Sequence, residues 1–221
     1  MPVPVPVPRQ FEDLPYAGSL EPLVGAPQAR ADYDGVHLDG AALDEVEADN
    51  SRFLESAFSS VILTGGRLRR SRFNDVWMHA ARWLGTDLAE TRWYDVEVIA
   101  STLAGVAMFD AELHRVTFFG CKLDSLNLRT ATLRDVAFVD CVLPQVDFGE
   151  ATMTGVSFPG STLDGVRFGK ARMSGVDFRD AAALAIADGI GDLRGSTINS
   201  AQLLDLAPQL AESLGVEVRD R

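Results

Sequence analysis

Residues 31–75 read ADYDG VHLDG AALDE VEADN SRFLE SAFSS VILTG GRLRR SRFND when written in fives. The third residue of each five is apolar or aromatic: Tyr33, Leu38, Leu43, Ala48, Phe53, Phe58, Leu63, Leu68 and Phe73. The register continues to AAALA at 181–185, and all 31 third positions from Tyr33 to Ala183 are apolar. At the chain's apolar fraction, chance agreement on that scale is ~10⁻¹⁰ by template counting. The first residue of each five is small, Val or, once, Leu126, and is never charged. Charges fall at the second, fourth and fifth positions.

A period of five matches neither a strand nor a helix, because either would rotate these residues off one face. Repetition at a fixed spacing points to a solenoid. A chain that turns by nearly a right angle every five residues closes a four-sided coil of twenty. Each side then sends one central side chain and one smaller neighbour inward. Steps of twenty define the internal stacks, of which one is Leu38, Phe58, Met78, Val98, Phe118, Phe138, Phe158, Phe178. The opposite stack runs from Ala48 to Phe168, and the other two contain Trp83 and Trp93. These large rings, with Val98 and Met108, predict a widened or locally irregular coil. With parallel coils ~4.8 Å apart, residues 31–180 predict a rod of roughly 36 Å.

The pattern, small or Val, any, Leu or Phe, any, any, resembles the pentapeptide repeat family, A(D/N)LxX in its usual form, over about 155 of the 221 residues. The resemblance implies an all-β solenoid, a right-handed quadrilateral parallel β-helix. It also implies a function. The best-characterised members bind type II topoisomerases, chiefly DNA gyrase, by imitating duplex DNA, and so confer antibiotic resistance. Some members dimerise through a C-terminal helix.

The ends read differently from the middle. Residues 1–30 hold seven of the ten prolines. PVPVPVP is expected to be extended and partly disordered, whereas FEDLPYAGSLEPLVG is apolar enough to pack on the rod. The repeats are placed at 31–198 and a helical cap and tail at 199–221. After Ala185 the pattern weakens, with Asp188 where Leu is due. Ser200 is read as the N-cap of a helix, AQLLDLAPQLAESLG, with Leu203, Leu206, Leu210 and Leu214 along one side. Pro208 should break or re-nucleate it and Gly215 should end it. The helix reads as a cap, or more sharply as a contact between two copies of the chain.

The formal net charge is -12, of which residues 1–50 carry -8 from ten acids and two arginines. That balance argues against direct nucleic-acid binding, which needs a basic surface. The longest uncharged run in the middle of the chain, Ala151 to Leu163, is too short to span a membrane. No secretion signal is seen, so a cytoplasmic protein is expected. His37, His79 and His114 stand alone, and no HxxxH, CxxC, phosphate loop or GxSxG occurs. The chain therefore reads as a non-enzymatic binding protein without cofactor or metal. Cys121 and Cys141 should stack on adjacent coils, close enough for a disulfide, although buried free thiols suit a reducing compartment better. Arg52, Arg72 and Arg92, with Glu55, Asp75 and Asp95, read as an exposed charge ladder.

Two outward features are candidate partner surfaces. Asp32, Asp34, Asp39, Asp44, Glu45, Glu47 and Asp49 decorate the first coil with no Lys or Arg between them. On one face Ile99, Phe119 and Val139 fill the fourth column twenty residues apart, and Trp77 lies in the second column. This apolar stripe is either a partner or dimer surface, or is covered by the N-terminal segment. The most specific expectation is gyrase binding through DNA mimicry. The alternative is an interaction scaffold that uses the exposed stripe.

Overall fold

The computed structural model describes residues 6–219. The repeats wind into a right-handed four-sided parallel solenoid that ends in a single helix, Ser200–Ser213. Residues twenty apart pair in parallel register: Tyr33 with Phe53, Phe53 with Phe73, Phe73 with Trp93, and so on to Met153 with Met173. Three faces carry paired strands, while the fourth is joined by single bridges from Glu47 through Arg67 and Asp87 to Arg167.

The turn between faces is made by the fifth residue. Every fifth residue from Gly35 to Gly175 has a positive φ, for example 45° at Glu55, 47° at Ala100 and 62° at Gly105. For a residue with a Cβ this left-handed conformation costs roughly 1–2 kcal/mol. The corner amides are held by the next coil: Ala100 N donates to Phe119 O at 2.8 Å and Gly105 N to Asp124 O at 2.9 Å.

The core is a set of ladders. Phe118, Phe138, Phe158 and Phe178 are at most 1% exposed and stack with centroids 5.0, 5.1 and 5.0 Å apart, within 8° of parallel. The stacking distance matches the coil rise, so aromatic rings fit every rung without strain. Trp83 and Trp93 are also buried, edge to face at 6.2 Å. The irregular coil expected around them is not found, because Leu63–Trp83–Leu103 and Phe73–Trp93–Leu113 stay in register. The smaller Val98 and Met108 complete that part of the core, both fully buried.

The register does slip at the far end. Leu163 pairs with Leu184, not Ala183, and Ala183 is exposed. One extra residue lets the larger Leu184 turn toward the core, where it removes more apolar area from water. The helix also begins one residue earlier than the sequence suggests. Its N-cap is Asn199, not Ser200: Asn199 Oδ1 accepts from Gln202 N at 2.9 Å, and Gln202 Oε1 accepts from Asn199 N at 2.9 Å. Pro208 does not break it. The carbonyl that Pro208 leaves unpaired belongs to Leu204, on the side facing solvent, where water can satisfy it.

A Cβ built at Gly105 meets nothing within 4 Å, so Gly105→Ala isolates the conformational cost of the corner. It is expected to lower unfolding stability by about 0.5–1 kcal/mol, the left-handed cost less the unfolded-state entropy that Ala removes. Ala100→Gly, at the same kind of corner, should raise it by about 0.5–1 kcal/mol after the entropy of the more flexible unfolded chain is subtracted. Urea unfolding midpoints measure both.

Candidate partner-binding surfaces

The apolar stripe points away from the coil, but it is not open to solvent. Trp77, Phe119 and Val139 are 5, 6 and 5% exposed and Ile99 is half-buried. Over Trp77 and Ile99 the cover is the chain's own N-terminal strap, residues 9–23. The strap contains two short 3-10 turns, Phe11–Asp13 and Ala17–Ser19, and a strand, Glu21–Pro22, that pairs with Val36 and His37. Leu14 and Tyr16 form a second apolar cluster with Ala57 and Trp77, joined by Phe11, Ala17, Leu20 and Ile99.

Polar contacts fix the strap's upper end. Trp77 Nε1 donates to Arg9 O at 3.1 Å, and the Arg9 guanidinium bonds Glu97 at 2.9 Å. Phe11 lies edge-on to Trp77 with centroids 5.7 Å apart and stacks on His37 at 4.9 Å. The described strap thus climbs from the coil of Val36 to that of Glu97. Phe119 and Val139 lie in the next two coils, paired in register with each other. The long-range partners Arg9, Tyr16 and Glu97 were not singled out from sequence. Their one signal there is a Trp in an outward column, next to Ala57 and facing a segment rich in Phe, Leu and Tyr.

The acids of the first coil lie mostly at the surface. Asp32, Asp34, Asp39, Asp44, Glu45 and Glu47 are exposed and Asp49 is half-buried. They are not equivalent. Arg67 bonds Glu47 at 3.3 Å and Asp49 at 3.1 Å, and Glu45 accepts from Gly66 N at 3.2 Å. Asp32, Asp34, Asp39 and Asp44 have no cation within 4.0 Å among the described residues. Further along, Arg69 bonds Asp87 and Glu90, and Arg129 bonds Asp147 and Glu150, so the fourth face is internally neutralised.

The four leucines of the helix divide. Leu206 is 3% exposed and Leu210 packs beside it on the core, so these two close the end of the coil. Leu203 and Leu214 are exposed, together with Leu204, Val216 and Val218. The single face expected for all four leucines is therefore split, because the cap needs only one turn-spaced pair.

Cys121 and Cys141 are buried and free. Cys121 N donates to Cys141 Sγ at 3.4 Å. The contact with the Cys121 thiol, and then burial, push the Cys141 thiol up, and the backbone N–H opposes them. A buried protonated thiol is a poor nucleophile. Among the described residues no three His, Cys, Asp or Glu side chains are grouped to hold a metal ion, and no helix is long and apolar enough to cross a membrane.

Trp77→Ala removes both the apolar floor and the indole bond beneath the strap. Chymotryptic cleavage at Phe11 or Tyr16 should then become at least about tenfold faster, while residues 31–198 stay intact by mass spectrometry. Glu97→Ala should have a smaller effect, because a partly exposed ion pair contributes ~0–1 kcal/mol.

Residues 91–168 and 111–186 match a family model described as the pentapeptide repeat region. No curated protein matches the chain. Among solved structures the chain is similar to full-length QnrB1, a plasmid-mediated fluoroquinolone resistance protein, at 16% identity and a TM-score of 0.38, over 81% of this chain and 100% of that one. A pentapeptide repeat protein of the Arabidopsis thaliana thylakoid lumen is 16% identical, with a TM-score of 0.42, over 56% of this chain and 76% of that one. HetL, a pentapeptide repeat protein involved in heterocyst differentiation regulation in Nostoc sp. strain PCC 7120, is 18% identical, with a TM-score of 0.24, over 78% of this chain and 91% of that one. Taken together, residues 91–186 match the pentapeptide repeat region, and they lie within the solenoid described above.

Proposed function

We propose that the chain is a non-enzymatic rod that binds a type II topoisomerase, DNA gyrase, through the acidic first coil, and so modulates the enzyme or protects it from inhibitors. The observation that carries this reading is the set of exposed carboxylates without cationic partners at Asp32, Asp34, Asp39 and Asp44. They can meet a basic groove built for phosphates. The repeat's resemblance to gyrase-binding family members supports the choice of partner.

Magnitudes locate the mimicry. At one charge per ~1.7 Å, a duplex as long as the rod, ~36 Å, carries roughly 21 negative charges. This chain has a net -12, of which -8 lies in residues 1–50. The charge match is therefore confined to the N-terminal end. Scaffolding through an open apolar stripe has less support, since the strap already covers Trp77 and Ile99.

Micromolar protein is expected to inhibit gyrase supercoiling, less so as salt is raised. Neutralising Asp32, Asp34, Asp39 and Asp44 to Asn together should weaken the inhibition by about tenfold. Unchanged supercoiling with and without a gyrase poison would remove the reading.

We also place self-association at the C-terminal helix, where Leu203, Leu204 and Leu214 are exposed. Light scattering should give a dimer mass for the native chain and a monomer mass for Leu204→Asp combined with Leu214→Asp. A native monomer at about 100 µM would count against it.

A further inference from the structure

The strap and the rod enclose a groove of about 230 Å³, lined by Pro15, Tyr16 and Ser19 on one side and Glu55 and Asp75 on the other. Glu55 and Asp75 hold the same corner position on adjacent coils, with φ of 45° and 50°. Asp95, the next rung, is compensated by a two-pronged bond from Arg115, and Arg9 of the strap is engaged by Glu97. Among the described residues no cation lies within 4.0 Å of Glu55 or Asp75. Two like charges on neighbouring rungs repel. Burial, and then the charge of Asp95, push the Asp75 carboxyl above its ordinary range, with the more distant Arg9 and Arg115 only partly opposing the shift.

The groove also holds a polar group with nothing to bond. Tyr16 is 6% exposed, and its hydroxyl is buried without a hydrogen-bond partner. Burial raises the phenol to about 12, with Asp75, Glu97 and Glu55 adding to the shift and Arg9 opposing it. A buried hydroxyl without a partner is costly, and such a group beside uncompensated carboxylates marks a place where a donor-bearing cation is missing.

We propose that Tyr16, Glu55 and Asp75 form a binding site for a primary alkylammonium group, from a free amine or from a lysine side chain of another protein. The ammonium offers three N–H donors, enough for both carboxylates and the phenol oxygen. The volume is several times the ~30 Å³ of a water molecule, so the groove accommodates a short alkyl chain as well as the charge. Two carboxylates and a phenol are too few hard ligands for a dedicated calcium or magnesium cage, in keeping with the lack of a three-residue metal cluster among the described residues. Because Tyr16 belongs to the strap and the carboxylates to the coil, the ligand clamps one to the other. The site lies apart from Asp32, Asp34, Asp39 and Asp44 and does not depend on gyrase binding.

Calorimetric titration of the full chain with n-butylammonium, putrescine and acetyl-lysine-amide tests the proposal, with calcium chloride as control at matched ionic strength. Saturable binding of at least one amine is expected, at least about tenfold weaker in Glu55→Gln combined with Asp75→Asn and several-fold weaker in Tyr16→Phe. Binding should also fade as pH falls through the carboxylate range, since protonation removes the attracting charge. Tighter binding of putrescine identifies a free polyamine, and tighter binding of acetyl-lysine-amide identifies a protein lysine. No saturation by any amine up to about 10 mM, or calcium binding as tight as the best amine, overturns the site.

A second measurement does not need the ligand. A carboxyl whose folded-state pKa is raised destabilises the fold where it is ionised, above that pKa, and ceases to do so once protonated. Asp75→Asn should therefore raise the melting temperature at pH 7, with the difference closing on acidification through the Asp75 pKa. A lower melting temperature for Asp75→Asn at pH 7 would mean that the carboxylate already has its partner, and would also overturn the proposal.

Discussion

Each coil must turn four times in twenty residues, and it does so by holding every fifth residue in the left-handed region. At most of these corners the residue has a Cβ and the conformation is unfavourable. What offsets it is repetition. Each corner amide bonds a carbonyl one coil away, and each third residue stacks on the residue twenty before it. Neither contact exists in an isolated coil, so the corners hold only when coils are stacked. The same dependence explains why both ends are closed, by the Glu21–Pro22 strand at one and by Leu206 and Leu210 of the helix at the other.

With the inside committed to apolar ladders, function is left to the second, fourth and fifth columns. Many of their side chains meet partners about twenty residues away. Arg67 therefore neutralises Glu47 and Asp49, and Arg129 neutralises Asp147 and Glu150. Carboxylates that escape such pairing include Asp32, Asp34, Asp39 and Asp44 on the first coil, and Glu55 and Asp75 beside the strap.

The ladders and their register were legible from Tyr33 onward, because an apolar side chain at the third position of every five has one stable place to go, the inside of a five-residue turn. The departures share a cause. At Leu184 a larger side chain displaced Ala183 from the expected rung. At Asn199 a better capping group stood one residue before Ser200. Pro208 was tolerated because the carbonyl it orphans faces water. In each case a local energetic preference outweighed the numerical pattern.

The coil, the inward stacks and the outward placement of Trp77, Ile99, Phe119 and Val139 are written in the sequence, since all of these follow from a strict period and the direction of Cβ. What covers that stripe at Trp77 and Ile99 is settled by long-range packing. The strap reaches it through Arg9 on Glu97 and Tyr16 beside Ala57, contacts that span some forty to ninety residues and follow no repeat. Those contacts depend on where a non-repeating segment finds apolar surface and a charge to meet, and no periodic rule encodes that.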